Sequence, residues 1–151
     1  MFDRLFKRPE AAVPTPSKLN CLSAGPVEFV FALVQGTTPD DTAEQLGIAA
    51  AVAQRGGWMV QDLLCNLAVF VRGTLPTAEP LQLERAALVE KLLQAMGAKV
   101  RVAHGAEAAH FGNMGGSARV TYGVLLPSFM KVMQALDEVP PGRSRALDTA
   151  P

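Results

Sequence analysis

The sequence predicts an α+β domain of the ferredoxin-like kind, a βαββαβ sandwich extended by one more strand and helix. Strand-like and helix-like patterns follow one another in the order β-α-β-β-α-β between residues 27 and 103. The two middle strand patterns are separated by Cys65 alone, a spacing that predicts an antiparallel hairpin. This order is typical of an antiparallel sheet with helices packed on one face.

The first strand and the first helix are predicted from an apolar run followed by a helix start signal. Residues 27–35 are mostly apolar, as expected of a central strand that is covered on both faces. Thr38 can cap a helix with Pro39 at its first position, and the two aspartates that follow suit the positive end of the helix dipole. The helix is predicted to stop at Gly56 and Gly57.

A hairpin, a second helix and a short strand complete the βαββαβ order. The hairpin strands are predicted at residues 58–64 and 66–72. Residues 81–96 carry apolar side chains at helical spacing, and Gly97 follows them as a stop signal. Residues 99–103 predict the closing strand of this core, and it is a short one.

A glycine-rich turn, a further strand and a third helix form the predicted extension. The turn is placed at residues 112–116, and the strand at residues 118–126, which are rich in β-branched and apolar residues. Pro127 suits the first turn of the helix, whose apolar side chains fall on one face. Those side chains are Phe129, Val132, Met133 and Leu136.

The predicted domain spans residues 27–138 and has a segment outside it at each end. Residues 1–26 contain several prolines and little periodicity, so a flexible segment and linker are predicted there. Residues 139–151 have no apolar face and are predicted to be a disordered tail.

The composition excludes several classes of protein. A chain of 151 residues with 49% hydrophobic and 19% charged residues is expected to form one folded domain. The formal net charge is zero and no basic stripe is present, which argues against a nucleic-acid-binding surface. No apolar run reaches the roughly 18 residues of a membrane span and no signal peptide is visible, so a cytoplasmic location is predicted. Cys21 and Cys65 are isolated, which indicates neither a zinc site nor a disulfide framework.

Both histidines of the chain lie in one motif, His104-x-x-Glu107-x-x-His110. Imidazole and carboxylate groups suit zinc, so a metal site is one interpretation of the motif. On a strand, however, a spacing of three places neighbouring members on opposite faces. The favoured interpretation is a set of polar residues at a strand edge, with no metal bound.

Three segments of the chain carry extended motifs. They are residues 111–136, FGNMGGSARVTYGVLLPSFMKVMQAL, residues 31–38, FALVQGTT, and residues 56–70, GGWMVQDLLCNLAVF. In that order they resemble the patterns GNIGSxxRxxYTVIGDxVNxAxRL, FADIxGFT and GGxxVKxxGDxxxAVF of the catalytic domain of class III nucleotidyl cyclases, the adenylate and guanylate cyclases. The resemblance implies the cyclase fold, whose core is ferredoxin-like, in a shortened form. Only one helix fits before Gly56 where the family carries two, and the family's closing strands are expected to be absent after Leu136.

The resemblance also implies that the metal-binding side chains of the family have been lost. Its two metal-binding aspartates correspond here to Leu33 and Cys65. Hard cations such as magnesium need oxygen ligands, which leucine lacks, and a thiol is a poor substitute. The resemblance therefore implies no bound metal and no cofactor.

The remaining functional positions of the family are replaced as well. Its base-selecting lysine and the partner of that lysine correspond to Gln61 and Gly123. The asparagine and arginine that steady the ribose and the transition state correspond to Met130 and Gln134. No catalytic residue is therefore expected, and cyclase activity by the family mechanism is not predicted.

One loop remains a candidate for contact with a phosphate or another ligand. Gly36, Thr37 and Thr38 lie where the first strand of the family delivers backbone amides to the triphosphate, and they lead into a helix N-terminus. The glycines at residues 112–116 are instead interpreted as a tight turn.

Two hypotheses about function follow. The first is a catalytically inactive cyclase-like module that acts by homodimerisation or by regulatory association with another protein. The resemblance implies such association, because cyclase domains pair head to tail near the helix predicted after Pro127. Met130 and Gln134 would then face the partner subunit. The second is a small-ligand-binding or enzymatic domain, including a metal-independent nucleotide sensor, that has reused the cleft. Leu33, Cys65 and Met130 would then line an apolar pocket.

Overall fold

The computed structural model describes residues 21–73, 82–115 and 120–147. The strands within them are β1 (Cys21–Val34), β2 (Met59–Leu64), β3 (Leu67–Arg72), β4 (Val100–Gly115), β5 (Val120–Leu125) and β6 (Ser144–Leu147). The α-helices within them are α1 (Pro39–Arg55), α2 (Arg85–Met96) and α3 (Phe129–Glu138). None of these helices is long and apolar enough to cross a membrane.

In chain order, β1, α1, β2, β3, α2 and β4 build the ferredoxin-like core. The sheet runs in the order β2-β3-β1-β4-β5, and β6 also pairs with β4. β1 is hydrogen-bonded to β3 on one side and to β4 on the other, antiparallel in both cases, and β2 and β3 form the hairpin. The structure confirms the predicted α+β, βαββαβ architecture together with its additional strand and helix.

Different helices cover the two faces of the sheet. α1 and α2 pack on the face that carries Val30 and Phe70, which we call the α1/α2 face. α3 packs on the opposite face, the α3 face, against Phe29 and Phe31. Alternate residues of β1 therefore enter two separate cores, which is why its sequence is almost continuously apolar. The expectation that the two helices of the βαββαβ core pack on one face is confirmed, and α3, which extends that core, packs on the other face.

α1 begins where the sequence predicts, and its cap has the predicted chemistry. The Oγ1 atom of Thr38 accepts a hydrogen bond from the backbone amide of Asp41 at 3.1 Å, and Pro39 is the first helical residue. The helix ends at Arg55, and the amide of Gly56 donates back to the last turn. The start and stop signals were therefore sufficient to place this element.

α2 starts at Arg85 and not at residue 81, because the described residues before it are held in a non-helical path. The carbonyl oxygen of Leu83 accepts a hydrogen bond from the indole of Trp58 at 2.9 Å and another from the guanidinium of Arg72. The same guanidinium forms an ion pair with Glu28 and lies 5.1 Å from the centroid of the Trp58 ring. These contacts tie the approach to α2 to β1 and β3.

β1 begins at Cys21, so the predicted linker, residues 1–26, is wrong for residues 21–26. This part of β1 pairs with β4, whereas β3 reaches only as far as Glu28. Pro26 therefore lies where the strand has a neighbour on one side only, a position that tolerates proline. Residues 1–20 lie outside the described part of the chain.

β4 runs for 16 residues, and the short strand predicted at residues 99–103 is only its first part. Gly112 and Gly115 have φ angles of 140° and 152°, a region that favours glycine, yet both stay within the ladder opposite Gly123 and Val120. The turn predicted at residues 112–116 is therefore wrong up to Gly115. Its remaining residue lies outside the described residues.

A short sixth strand lies within residues 139–151, for which the sequence predicts a disordered tail. β6 pairs in parallel with residues 102–105 of β4. This stretch of edge is open because β5 pairs with β4 only from His110 onward. The tail prediction is wrong through residue 147, and so is the expectation that no closing strand follows Leu136. Because β6 is exposed along most of its length, no apolar pattern marks it.

Candidate functional site

A cavity of about 400 Å³, which we call the rim cavity, lies beside Gln61, one of the predicted site positions. It is bounded by β2 and β3 on one side and by the end of β5 and the start of α3 on the other. Its lining residues are Gln61, Asp62, Val69, His110, Val124, Leu125, Leu126, Pro127 and Phe129. Of the six positions inferred from the cyclase resemblance, Gln61 is the one in this lining.

A β-bulge positions Gln61 and its neighbour at the mouth of the rim cavity. The register of β2 against β3 shifts between Val60 and Asp62, so Gln61 is the extra residue. Asp62 pairs with Val69 and therefore lies on the α3 face. This places an exposed carboxylate in the lining, at a residue that sequence reasoning did not single out.

Leu33 lies at a second, smaller cavity of about 250 Å³. Leu33 is half-buried and packs against the core of the α3 face. Its partner across the sheet is Arg101, which also lines the cavity together with Gln35 and Asn66. Arg101 forms no ion pair with any described residue, and the sequence analysis missed it. Only the strand register, which places Arg101 opposite Leu33, could have identified it.

Cys65 occupies the tip of the β2–β3 hairpin. It is exposed and has a φ of 57°, which is unusual for a residue other than glycine. The neighbouring Asn66 fixes the turn against the end of β1: its side-chain amide donates to the carbonyl of Val34 at 3.0 Å. Cys65 lines neither of the two cavities, so the pocket predicted from Leu33, Cys65 and Met130 is not formed by those cavities.

Gly123 lies on β5, under the side chain of Met114. A Cβ atom at Gly123 would be 3.0 Å from the sulfur of Met114, which is closer than such contacts normally come. Close approach of the methionine therefore accounts for glycine at this position.

Met130 and Gln134 lie one helical turn apart on the exposed side of α3. Met130 is 68% exposed and Gln134 is also exposed, whereas Val132 and Leu136 are buried against the sheet. Phe129 is 40% exposed, and its ring centroid is 5.4 Å from that of Phe31. α3 thus presents large side chains to solvent beside the rim cavity.

The loop proposed to contact phosphate is occupied by a carboxylate of the chain itself. The backbone amide of Thr37 donates to Oδ2 of Asp41 at 2.9 Å, and Thr38 caps α1 as described. The hydrogen bond from the Thr37 amide lowers the pKa of Asp41, which keeps this carboxylate charged. A Cβ atom at Gly36 would collide with Thr42, so the glycine serves close packing. An incoming anion would have to displace Asp41, and this geometry does not favour the predicted contact.

The histidine motif lies on β4, and its members do not converge. Glu107 faces the opposite side of the sheet from His104, and its carboxylate accepts a hydrogen bond from the amide of Ser128 at 3.1 Å. Burial lowers the pKa of His104, and nearby Arg85 lowers it further. Within the described residues, no group of three or more histidine, cysteine, aspartate or glutamate side chains is placed to hold a metal ion.

The fold is that of the catalytic domain of class III nucleotidyl cyclases. The chain is similar to the adenylyl cyclase CyaB from P. aeruginosa, with a TM-score of 0.68 and 10% sequence identity over 84% of this chain and 79% of that one. It is also similar to a dimeric guanylyl cyclase domain of the RhoGC fusion protein from the aquatic fungus Blastocladiella emersonii, with a TM-score of 0.62 and 13% identity over 84% and 81% of the two chains.

A monomeric form of the same fungal domain gives a TM-score of 0.61 and 12% identity, and covers 84% of both chains. No protein-family model matches the sequence, and no curated protein matches it. The support for the resemblance beyond the three sequence segments is therefore structural. At these identities the comparisons establish the fold, and the chemistry has to be argued from the residues of this chain.

Proposed function

We propose that the protein is a catalytically inactive, cyclase-like module that acts by association with a second copy of itself. The observation that carries the proposal is a set of large, exposed apolar side chains, two of which line the rim cavity. Met130 is 68% exposed, Leu64 62%, Leu125 51% and Phe129 40%. Exposed apolar groups clustered in this way mark interaction surfaces in soluble proteins.

The strand register and the chain path relate the four side chains to the rim cavity. Leu125 and Phe129 both line the rim cavity. Leu64 pairs with Leu67, a residue of the α3-face core, so it lies on the same face as Asp62 in the cavity wall. Met130 directly follows Phe129 in α3. We call this set the apolar rim.

The absence of catalysis is inferred from side-chain chemistry. Leu33 has no atom that can bind a metal ion, and Cys65 offers a thiol at a turn where the family has a carboxylate. A metal clamp contributes several kcal/mol of transition-state stabilisation to such reactions. Met130 and Gln134 cannot neutralise phosphate charge in place of the family's arginine.

A second copy of the chain is the partner that requires the fewest assumptions. The formal net charge is zero, so long-range repulsion between copies does not oppose association. One surface patch that meets itself about a two-fold axis forms a closed dimer. The similar fungal domain is described in a non-canonical dimeric form, which supports self-association, and also in a monomeric form. An exposed free thiol at Cys65 suits a reducing compartment, and we place the protein in the cytoplasm.

Turnover and nucleotide binding test the inactive state directly. ATP and GTP are incubated with the protein in the presence of magnesium or manganese, and cyclic products are measured together with the thermal unfolding midpoint. We expect no product and no metal-dependent shift, although a ligand at about a hundred times its dissociation constant would add roughly 2.7 kcal/mol of stability. A manganese-dependent shift or any cyclic product would contradict the proposal.

A double variant gives this experiment its matched control. Leu33→Asp combined with Cys65→Asp restores both carboxylates at the inferred metal positions. If the correspondence of these positions is right, the variant gains a manganese-dependent rise in its unfolding midpoint. The wild-type protein, measured beside it, shows none.

The second candidate function is a metal-independent sensor of an anionic ligand, and Arg101 favours it. This half-buried cation faces the cavity beside Leu33 and has no ion-pair partner among the described residues. A nucleotide that raises the unfolding midpoint without metal, and no longer does so in Arg101→Gln, would support the sensor. No shift in either protein would remove it.

A further inference from the structure

A separate cavity lies on the other side of the sheet, between the end of α1 and α2. Its volume is about 440 Å³, within the range of small-molecule sites. α1 contributes Val52 and Arg55, the segment before α2 contributes Leu83, and α2 itself contributes Lys91 and Ala95. The site lies on the α1/α2 face, away from the apolar rim, and we call it the helix cavity.

Two cations without counter-charges line the helix cavity. Arg55 and Lys91 are both exposed, and neither forms an ion pair with another described residue. No carboxylate is part of the lining. The nearest acidic residue along α2 is Glu90, which lines a different cavity and accepts a hydrogen bond from the side-chain amide of Gln94 at 3.2 Å. The helix cavity is therefore a local excess of positive charge in a chain of zero net charge.

The floor of the helix cavity is apolar. Val52 and Leu83 are half-buried and pack against the core of the α1/α2 face. Leu83 can lie there because residue 56 is glycine, since a Cβ atom at Gly56 would be 2.7 Å from its Cδ1 atom. The cavity thus combines an apolar surface with two cations, the combination that suits a ligand with one charged end.

We propose that the helix cavity binds a single-chain anionic amphiphile, a molecule with a carboxylate head and an apolar chain. The guanidinium of Arg55 can bind a carboxylate through two parallel hydrogen bonds, and the ammonium of Lys91 adds a second charge-assisted contact. The apolar chain covers Val52 and Leu83. This ligand class follows from the chemistry of the lining and is independent of the proposed self-association.

Decanoate, used below its micelle-forming concentration, is the probe for this site. Titration calorimetry measures its affinity, and NMR shifts of the methyl groups of Val52 and Leu83 locate it. We expect saturable binding of one molecule per chain, tightening roughly fourfold for each methylene added between octanoate and dodecanoate. Decanol, which has the same chain and no charge, is expected to bind at least about tenfold more weakly than decanoate.

Variants connect the binding to the two cations. Arg55→Gln and Lys91→Gln are each expected to weaken decanoate binding by about tenfold, because each removes a charge-assisted hydrogen bond. Arg143→Gln removes an exposed cation elsewhere and leaves the affinity unchanged. Ala95→Phe fills the cavity from an exposed position of α2 and abolishes binding without emptying the core.

Several results would overturn the proposal. Binding that does not saturate, equal affinity for decanoate and decanol, or equal affinity in wild type and both glutamine variants would each do so. Cosedimentation with vesicles of anionic phospholipid, without any binding of free decanoate, would assign the two cations to a membrane surface instead.

Discussion

The two faces of the sheet differ in how completely their helices cover them. On the α1/α2 face, two helices bury Phe70, Leu88 and Leu92 completely. On the α3 face, one helix buries Phe29 and Phe31 as completely but leaves the apolar rim open beside them. We call the α1/α2 face the closed face because two helices cover it, although the helix cavity and the 48% exposed side chain of Leu63 also lie on it. The open rim retains apolar side chains where packing within one chain does not require them, and this is why we assign the function to it.

The polar contacts follow the same division. On the closed side, Arg72 joins Glu28, Leu83 and the Trp58 ring in one network. At the open rim the charged lining residue is Asp62, which is exposed. A partially buried ion pair with further hydrogen bonds fixes one arrangement of its elements. The rim has no comparable network among the described residues that line its cavity, and it is free to meet a partner.

A pair of truncations tests the contrast between the two faces most strongly. Leu88→Ala, on the closed face, is expected to lower the free energy of unfolding by about 3 kcal/mol, because a fully buried side chain leaves a cavity. Phe129→Ala, at the rim, is expected to lower it by less than about 1.5 kcal/mol, chiefly through the lost ring contact with Phe31.

Urea unfolding at low protein concentration measures both changes without a contribution from association. A loss in Phe129→Ala as large as that in Leu88→Ala would mean that the rim is part of the folding core. The distinction between a structural face and a functional rim would then fail.

Two glycine-to-alanine changes sharpen the comparison at a finer scale. A Cβ atom at Gly105 would be 2.8 Å from the ring of Phe29 and 2.9 Å from the carbonyl of Leu147, so Gly105→Ala is expected to cost about 1–3 kcal/mol. Gly47 lies in α1 with no atom near its missing Cβ, so Gly47→Ala is expected to add up to about 1 kcal/mol.

The test is that the two variants change the free energy of unfolding in opposite directions. Midpoints of urea unfolding are sufficient to show the direction of each change. A neutral Gly105→Ala would show that the α3 face is loosely packed where β6 meets β4. The open rim would then be one part of a generally loose face and not a local feature.

The smallest expected effect is a pH dependence that originates at His104. Burial lowers the pKa of this imidazole below 6.5, and nearby Arg85 lowers it further. Glu90 and His104 line one cavity, which is separate from the helix cavity. The folded state therefore favours the neutral form, whereas the unfolded chain takes up a proton as the pH falls through 6.5. The free energy of unfolding therefore decreases as the pH is lowered.

His104→Gln removes this titration, so the variant should lose less stability than the wild type when the pH is lowered from about 7.5 to about 5.5. Urea midpoints at the two pH values provide the measurement. Equal losses in the two proteins would show that His104 does not contribute to acid sensitivity.

The sequence predicted those parts of the fold whose patterns come from burial or from capping. The central part of β1 was predictable because both of its faces are buried. α1 was predictable because Thr38 caps it and Pro39 is its first residue. The full length of β4 was not, because its second half is rich in glycine and alanine, and glycines there resemble a turn. β6 was not, because an exposed edge strand leaves no apolar period.

For the candidate site, motif spacing supplied residue positions that stay predictions, and it supplied no geometry. Leu33, Gln61 and Met130 could be assigned from motif spacing, but spacing cannot show that they fall at separate places: a small cavity, a bulge and an exposed helix face. Asp62 and Arg101 were missed because strand register alone brings them to the cavities. Register depends on pairing across the sheet, which local sequence does not record.

Sedimentation equilibrium at tens of micromolar is the measurement that tests the central claim most directly. The wild-type protein is expected to be a dimer, and Met130→Lys, which places a charge in the apolar rim, is expected to be a monomer of unchanged fold. Gln54→Lys adds the same charge at an exposed position of α1 and should remain a dimer. A strictly monomeric wild type, or a Met130→Lys protein that dimerises as well as Gln54→Lys, would contradict the account.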